Sequence, residues 1–252
     1  MSGHSKWASI KHKKAATDAK RSAAFTKVTR EITAAAKDGG GSPETNIRLR
    51  AAIARAREVN MPNSNVENAI KKGTGELPGI TYETVIFDAY GPAGVALLIE
   101  GLTDNKNRTT AEIRNILSKK NGSLAGAGST AWLFITKGFI SIEKDKISED
   151  ELMALVLEAG AEDTDSTGNY HEITCEPADL ERLKNAIKSK NIPMVTAEVT
   201  KVAKSKVNVT GQDAKNLLAL MEALEEHEDV QAVHANFDIP DEVMDSLAKE
   251  AQ

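Results

Sequence analysis

The chain carries two periods of apolar residues, and the change between them falls near residue 80. From about Thr17 to Lys37, the residues Phe25, Val28, Ile32, Ala35 and Ala36 recur on one face. That spacing predicts an amphipathic helix, with Lys20, Lys27, Arg30 and Lys37 on its other side. Gly39-Gly40-Gly41 stops it. Ser42-Pro43-Glu44 predicts the start of a second helix, since proline is tolerated in a first turn. Leu49, Ala52, Ile53 and Ala56 form its stripe, and Asn60-Met61-Pro62 ends it. Ser64-x-x-Glu67 reads as a capping box opening a third helix, closed by Lys71, Lys72 and Gly73. Residues 1–16 have no clear periodicity and read as extended, or as ordering on binding.

Beyond residue 79 the period shortens. Tyr82 to Ala89 and Val95 to Glu100 read as strands around the turn Tyr90-Gly91-Pro92-Ala93-Gly94. Asp104 to Asn107 cap a helix to about Lys120, with Ile113, Ile116 and Leu117 as its stripe. A glycine-rich loop, Asn121 to Ser129, follows, and Ala131 to Ile135 returns to strand. Strand Phe139 to Glu143, a helix capped by Ser148, strand Tyr170 to Cys175, a helix opened by Pro177 and strand Met194 to Val202 come next. This βαβαβ order fits a small ferredoxin-like sheet backed by helices. A short strand Lys206 to Val209, a helix Asp213 to Glu226, a strand Val230 to Phe237 and a tail with a short helix complete the pattern.

Composition limits the function classes. Hydrophobic residues make up 40% and charged residues 27%, as in an ordinary globular chain. Aromatics are only 4%, which argues against a platform of several stacking rings. One cysteine, Cys175, excludes an internal disulfide and a thiolate cluster, and suits a reducing compartment such as the cytoplasm. No run of eighteen apolar residues predicts a membrane span. The N-terminus lacks the apolar core of a secretory signal, so the mature protein is read as starting at or near Met1.

Charge changes the picture most. Residues 1–73 hold 15 Lys/Arg and 6 Asp/Glu, a net of +9, so the remaining 17 Lys/Arg and 31 Asp/Glu give −14. A basic module on an acidic body is the footprint of polyanion binding. The cations nearest the N-terminus are Lys6, Lys11, Lys13, Lys14, Lys20, Arg21, Lys27 and Arg30, with Trp7, His4 and His12 among them. These eight cations are the candidate phosphate contacts, and Trp7 and His12 are candidate stacking residues. In the glycine-rich loop, Gly122, Ser123, Gly126, Gly128 and Ser129 form a candidate secondary contact. Its Gly126-x-Gly128-x-x-Ala131 resembles a dinucleotide fingerprint, but it follows a helix and precedes a strand, the reverse of the context that motif needs.

Catalytic signatures are missing. His171, His227 and His234 lack a zinc spacing, and there is no HExxH, no GxSxG elbow and no Walker loop. Cys175 alternates on a strand and reads as core, and His227 reads as a solvated helix end. Glu158, Glu162, Asp163 and Asp165 read as a solvated acidic loop. No cofactor, metal or enzymatic activity is expected.

Four segments together resemble one family. They are Gly3-His4-Ser5-Lys6-Trp7 with Ile10-Lys11-His12-Lys13-Lys14; Asn60-Met61-Pro62 with Ala69-Ile70-Lys71-Lys72-Gly73; Tyr90-Gly91-Pro92 with Leu102-Thr103-Asp104-Asn105 and Asn107-Arg108-Thr109; and Gly122 to Phe134. The sequence is similar to the YebC/PmpR family, whose mitochondrial members include the translational activator of cytochrome c oxidase. The resemblance implies a multidomain α and α+β protein. An N-terminal three-helix domain, 1–79, is followed by an α+β domain, 80–136 and 205–252, with a ferredoxin-like α+β domain, 137–204, inserted in it. It implies a cytoplasmic DNA-binding transcriptional regulator that is not an enzyme. The alternative is a ribosome-associated translation factor that binds ribosomal RNA and assists synthesis of proline-rich sequences. A scaffold docking on an acidic protein partner is the third reading. No membrane contact is expected, and the sequence leaves the oligomeric state open.

Overall fold

The computed structural model describes residues 18–166, 168–240 and 243–244, with side chains from Ser22 onward. Three separate apolar cores organise it.

The first core joins three helices, α1 (Asp18–Gly39), α2 (Ile47–Glu58) and α3 (Asn63–Thr74). Val28, Ile32, Ala35 and Ala36 pack on Leu49, Ala52, Ala56, Met61 and Ala69. The start of α2 differs from expectation: the Asn46 side chain caps it, accepting from Leu49 N at 3.0 Å. That side chain also donates to Ala35 O and Gly40 O, both at 2.8 Å, so one buried amide ends α1 and begins α2. The capping box is not used either, because Pro62 occupies the N-cap of α3 without a side-chain bond. Gly73 does not end α3. The left-handed Gly75 does, at φ 84°. Gly73 instead lies where α3 meets α1, and a Cβ there would come within 2.4 Å of Thr33 O. Gly73→Ala is therefore expected to cost about 2 kcal/mol, read by urea denaturation. A change within a few tenths of a kcal/mol would show that this helix pair can separate freely.

The second core belongs to an antiparallel sheet of order β3-β1-β2-β9. Its strands are β1 (Glu83–Tyr90), β2 (Ala96–Thr103), β3 (Ser123–Leu124) and β9 (Val230–Ala235). Val85, Phe87 and Ala89 alternate inward from β1, beside Leu97 and Ile99 of β2. Ile113 and Leu117 of α4 (Lys106–Lys119) cover them, with Leu217, Leu220, Met221 and Leu224 of α7 (Gly211–Glu226). Phe237, in the parallel pair of β8 (Val207–Asn208) and β10 (Phe237–Asp238), closes this core.

The third core lies under a sheet of order β5-β6-β4-β7, antiparallel throughout. Its strands are β4 (Phe134–Glu143), β5 (Ala161–Asp165), β6 (Tyr170–Cys175) and β7 (Thr196–Ala203). Helices α5 (Glu149–Glu158) and α6 (Leu180–Ser189) pack Leu152, Val156, Leu183 and Ile187 on Ile140, Ile142, Ile173 and Cys175. The expected βαβαβ lacked one strand: the acidic segment 161–165 is β5, which makes the unit βαββαβ, the ferredoxin-like order. The protein is thus a multidomain α and α+β fold. Among the described residues no helix is long and apolar enough to cross a membrane.

Candidate nucleic-acid interface

The predicted contacts fall into three groups. Lys6, Trp7, Lys11, His12, Lys13 and Lys14 lie outside the described residues. Lys20 and Arg21 stand in the first turn of α1, where the backbone alone is described. Lys27 and Arg30 are fully described, and both turn toward the acidic body.

Lys27 Nζ donates to Glu225 O at 2.5 Å, at the end of α7. Arg30 is only 9% exposed. Its Nη1 donates to Glu228 O at 2.8 Å and forms an ion pair with Asp229, and its Nη2 meets Glu228 Oε2 at 2.7 Å. The guanidinium also lies 5.5 Å from the Tyr82 ring centroid, within cation–π range. Arg30, expected on phosphate, therefore holds α1 against the body. The helical wheel placed it opposite the α1 stripe, but that side of α1 is covered too.

Asp229 is the hub of this contact. It is fully buried and follows the α7 C-cap His227. Arg108 Nη2 donates to its Oδ2 at 2.9 Å and Thr109 Oγ1 at 2.5 Å. Burial pushes its pKa up, but Thr109, Arg108 and Arg30 outweigh that and hold it below the usual aspartate value. His227 is not solvated as expected: its Nε2 lies 2.9 Å from Glu112 Oε2. Glu112, His227 and Asp229 present donor atoms within 4.8 Å of one another. Two guanidiniums already neutralise Asp229, which makes this cluster a poor seat for a cation.

Among the described side chains, the outward cations of the helical module are Lys37, Arg48, Arg50, Arg55, Arg57, Lys71 and Lys72. Arg48 pairs with Asp38 and Arg55 with Glu31, and Arg50 bonds the carbonyls of Pro43 and Glu44. The apolar period of α2 does not by itself mark its arginines as outward, because their exposure depends on where α1 and α3 pack.

The glycine-rich loop is held by Asp88, which is 4% exposed. The carboxylate accepts from the amides of Gly128 (3.0 Å), Thr130 (2.8 Å) and Ala131 (2.8 Å). The buried Thr130 hydroxyl lies between Asp88 Oδ1 (2.8 Å) and Leu97 O (2.9 Å). Burial alone would raise the Asp88 pKa, but the Thr130 amide and hydroxyl and the amides of Gly128 and Ala131 together lower it. Gly122 has no room for a side chain, since a Cβ would come within 2.9 Å of Tyr90 O. Ser123 pairs with Tyr90 in β3, Gly126 and Ser129 close a turn, and Gly128 takes φ 81°. The segment 131–133, expected as strand, is a 3₁₀ turn, and Trp132 points into solvent at 64% exposure.

A cleft of about 460 Å³ runs between α1, the uncovered face of the β5-β6-β4-β7 sheet and β9. Its walls carry lysines (Lys27, Lys201, Lys206) and carboxylates (Asp163, Glu172, Glu198), so its charge is mixed. Cys175 is in the core, and burial raises its thiol pKa. His171 is 3% exposed, with Nδ1 2.8 Å from Ser166 Oγ and Nε2 3.1 Å from Ile147 O. A backbone carbonyl must accept, so Nε2 carries the proton, and the ring is oriented by a hydroxyl and a carbonyl. That pair ties a loop to the sheet and offers no accessible nucleophile.

A basic helical module clamped to an α+β body, with a rigid exposed loop at the far end of the first sheet, defines a multidomain protein built around surfaces. Two family models match it in succession: the TACO1/YebC N-terminal domain over residues 5–76 and the TACO1/YebC second and third domain over residues 82–237. The chain belongs to the TACO1/YebC family. It is 55% identical over 249 residues to a protein of Dictyoglomus thermophilum, covering 98% of this chain and 100% of that one. A relative from Natranaerobius thermophilus is 51% identical, with the same coverage. Both carry the name "Probable transcriptional regulatory protein". The crystal structure of a conserved hypothetical protein from Aquifex aeolicus is similar to this chain, with a TM-score of 0.75 and 42% identity. That match covers 88% of this chain and 92% of the other.

Proposed function

We propose that this protein is a non-enzymatic, cytoplasmic regulator of transcription that binds DNA through its basic N-terminal domain, residues 1–79. The observation that carries the reading is the charge division, +9 over residues 1–73 against −14 over the rest. The name borne by its relatives supports it. Lys6, Lys11, Lys13, Lys14, Lys20 and Arg21 contact phosphates, and Trp7 and His12 supply stacking surfaces. Arg57, Lys71 and Lys72 extend the cationic rim. Lys27 and Arg30 stay with the body, since each already bonds the segment 225–229.

One observation favours a second reading, binding to ribosomal RNA. The Arg30–Asp229 clamp holds the basic module close to an acidic body. A long straight duplex passing over the module meets that charge, whereas a folded RNA can present phosphates to the module alone. Ultraviolet crosslinking in cells, followed by sequencing of the attached nucleic acid, separates the two. Promoter DNA supports the first reading, ribosomal RNA replaces it with the second, and recovery of neither overturns both.

Counterion release gives a quantitative prediction. Changing Lys11, Lys13 and Lys14 together to glutamine flattens the slope of log affinity against log salt by roughly 0.7–0.9 per lost phosphate contact. Fluorescence anisotropy over a salt series checks it, and an unchanged slope removes these lysines from the interface.

A further inference from the structure

We propose that the loop carrying Trp132 is a second nucleic-acid contact, in which the indole stacks on an unpaired base while Lys204 faces the neighbouring phosphate. The inference rests on the nucleic-acid reading above and adds the chemical form of the ligand, a single-stranded segment.

Trp132 is the most exposed aromatic side chain among the described residues. Single exposed apolar residues are ordinary on protein surfaces. This one differs in how it is held. Its Nε1 donates to Ser129 O at 2.9 Å, so the only polar atom of the ring is satisfied within its own loop. The ring is thereby fixed in place while its surface remains in solvent. The loop beneath it cannot drift, because one buried carboxylate, Asp88, gathers three of its amides. A rigid, exposed aromatic loses little conformational freedom when a base stacks on it.

The surroundings select an anionic ligand. Lys204 Nζ donates to Trp132 O at 2.8 Å, and its backbone N–H donates to Leu133 O at 2.8 Å, which places an ammonium beside the ring's own backbone. Gly126 and Gly128 leave the loop's outer backbone bare: a Cβ on Gly128 would meet nothing within 4 Å. A nucleotide strand can therefore approach closely. Stacking needs a base free of its partner, so a closed duplex is excluded from this contact.

The site is separate from the N-terminal one. Residue 96 lies at the Trp132 end of β2, and Leu102 at the other end bonds Asp229. The strand between spans roughly 20 Å at about 3.3 Å per residue. One ligand reaching both contacts would have to bridge that length.

The test uses the full chain with Trp7→Phe, which leaves Trp132 as the sole tryptophan. Mixed-sequence single-stranded RNA of about a dozen nucleotides is titrated in, and the same sequence as a duplex serves as control. Single strands are expected to quench Trp132 emission to a plateau. Trp132→Ala should weaken single-strand binding by about 5- to 150-fold while leaving duplex binding unchanged. Trp132→Phe should retain most of the affinity. Equal loss for both ligands would assign Trp132 a structural role and overturn the inference. Unchanged single-strand affinity in Trp132→Ala, with loss in the triple lysine variant, would overturn it while sparing the N-terminal reading. If the wild type binds neither ligand at low salt, this inference falls, while the DNA reading still stands or falls by the crosslinking.

Discussion

Asp229→Ala is expected to lower stability by about 3 kcal/mol, the cost of removing the buried member of an ion-pair network. Arg30 loses its buried carboxylate and keeps only the solvent-exposed Glu228, and Arg108 and Thr109 lose an acceptor at the same point. The loss should be seen in urea denaturation. Because Arg30 is a main tie between α1 and the body, the single transition should also split into two, the helical module melting first. The acid limb gives a second readout. A folded pKa held below the unfolded value means the ionised group stabilises the fold fully above about pH 4 and loses that contribution as pH falls through the folded value. The wild type therefore weakens below about pH 4, and the variant has a flatter acid limb. A variant within 1 kcal/mol of wild type, with one transition, would show that the tie is incidental.

Asp88→Asn should cost about 2–4 kcal/mol. An asparagine keeps one acceptor but turns an N–H toward amides that themselves need acceptors. Gly128, Thr130 and Ala131 share this one carboxylate, so the damage should concentrate there. Hydrogen exchange is the direct measurement. Amides of residues 126–131 should lose protection, while those of α5 and α6 keep theirs. Uniform loss, or none, would mean that the loop is not held through Asp88. The pKa of Asp88 is likewise lowered, so this support is present at neutral pH and fails only in acid.

Helices were the most legible part of the sequence, because their stripes are local. Val28, Ile32 and Ala35 on α1, and Leu49, Ala52 and Ala56 on α2, are the residues that form the core. Their boundaries were less legible. Ser42 looks like a cap as much as Asn46 does, and only the burial of Asn46 between Ala35 O and Gly40 O decides it. The missed strand, β5, reads Ala-Glu-Asp-Thr-Asp. It lies at the sheet edge, where charged side chains discourage pairing with other chains, so it carries no apolar alternation to detect.

The candidate site was legible as charge and illegible as geometry. The basic arm announces itself by composition. Arg30 does not announce its partner, because Asp229 lies 199 positions away in the chain. Asp88 occupies an outward strand position, which normally means solvent, and its role depends on a loop 40 residues later folding back over that face. Trp132 falls within the strand expected over 131–135, where the sequence pattern alone does not show its exposure. What exposes it is the 3₁₀ turn, which follows from the amides that Asp88 gathers.

Strands β4 and β7 pair from Phe134↔Ala203 to Ser141↔Thr196. The chain thus leaves the first sheet and returns to it through adjacent, hydrogen-bonded positions. Everything between those positions hangs from a two-stranded stalk whose ends are only one strand spacing apart. Such a unit behaves as a cassette. Its loops can change in length without altering the gap that the rest of the chain must close, while the helices and strands that cover Ile140 and Ile142 stay. Family members should therefore differ in length mainly in the loops within residues 144–195, keeping the stalk pairing and its apolar cover intact.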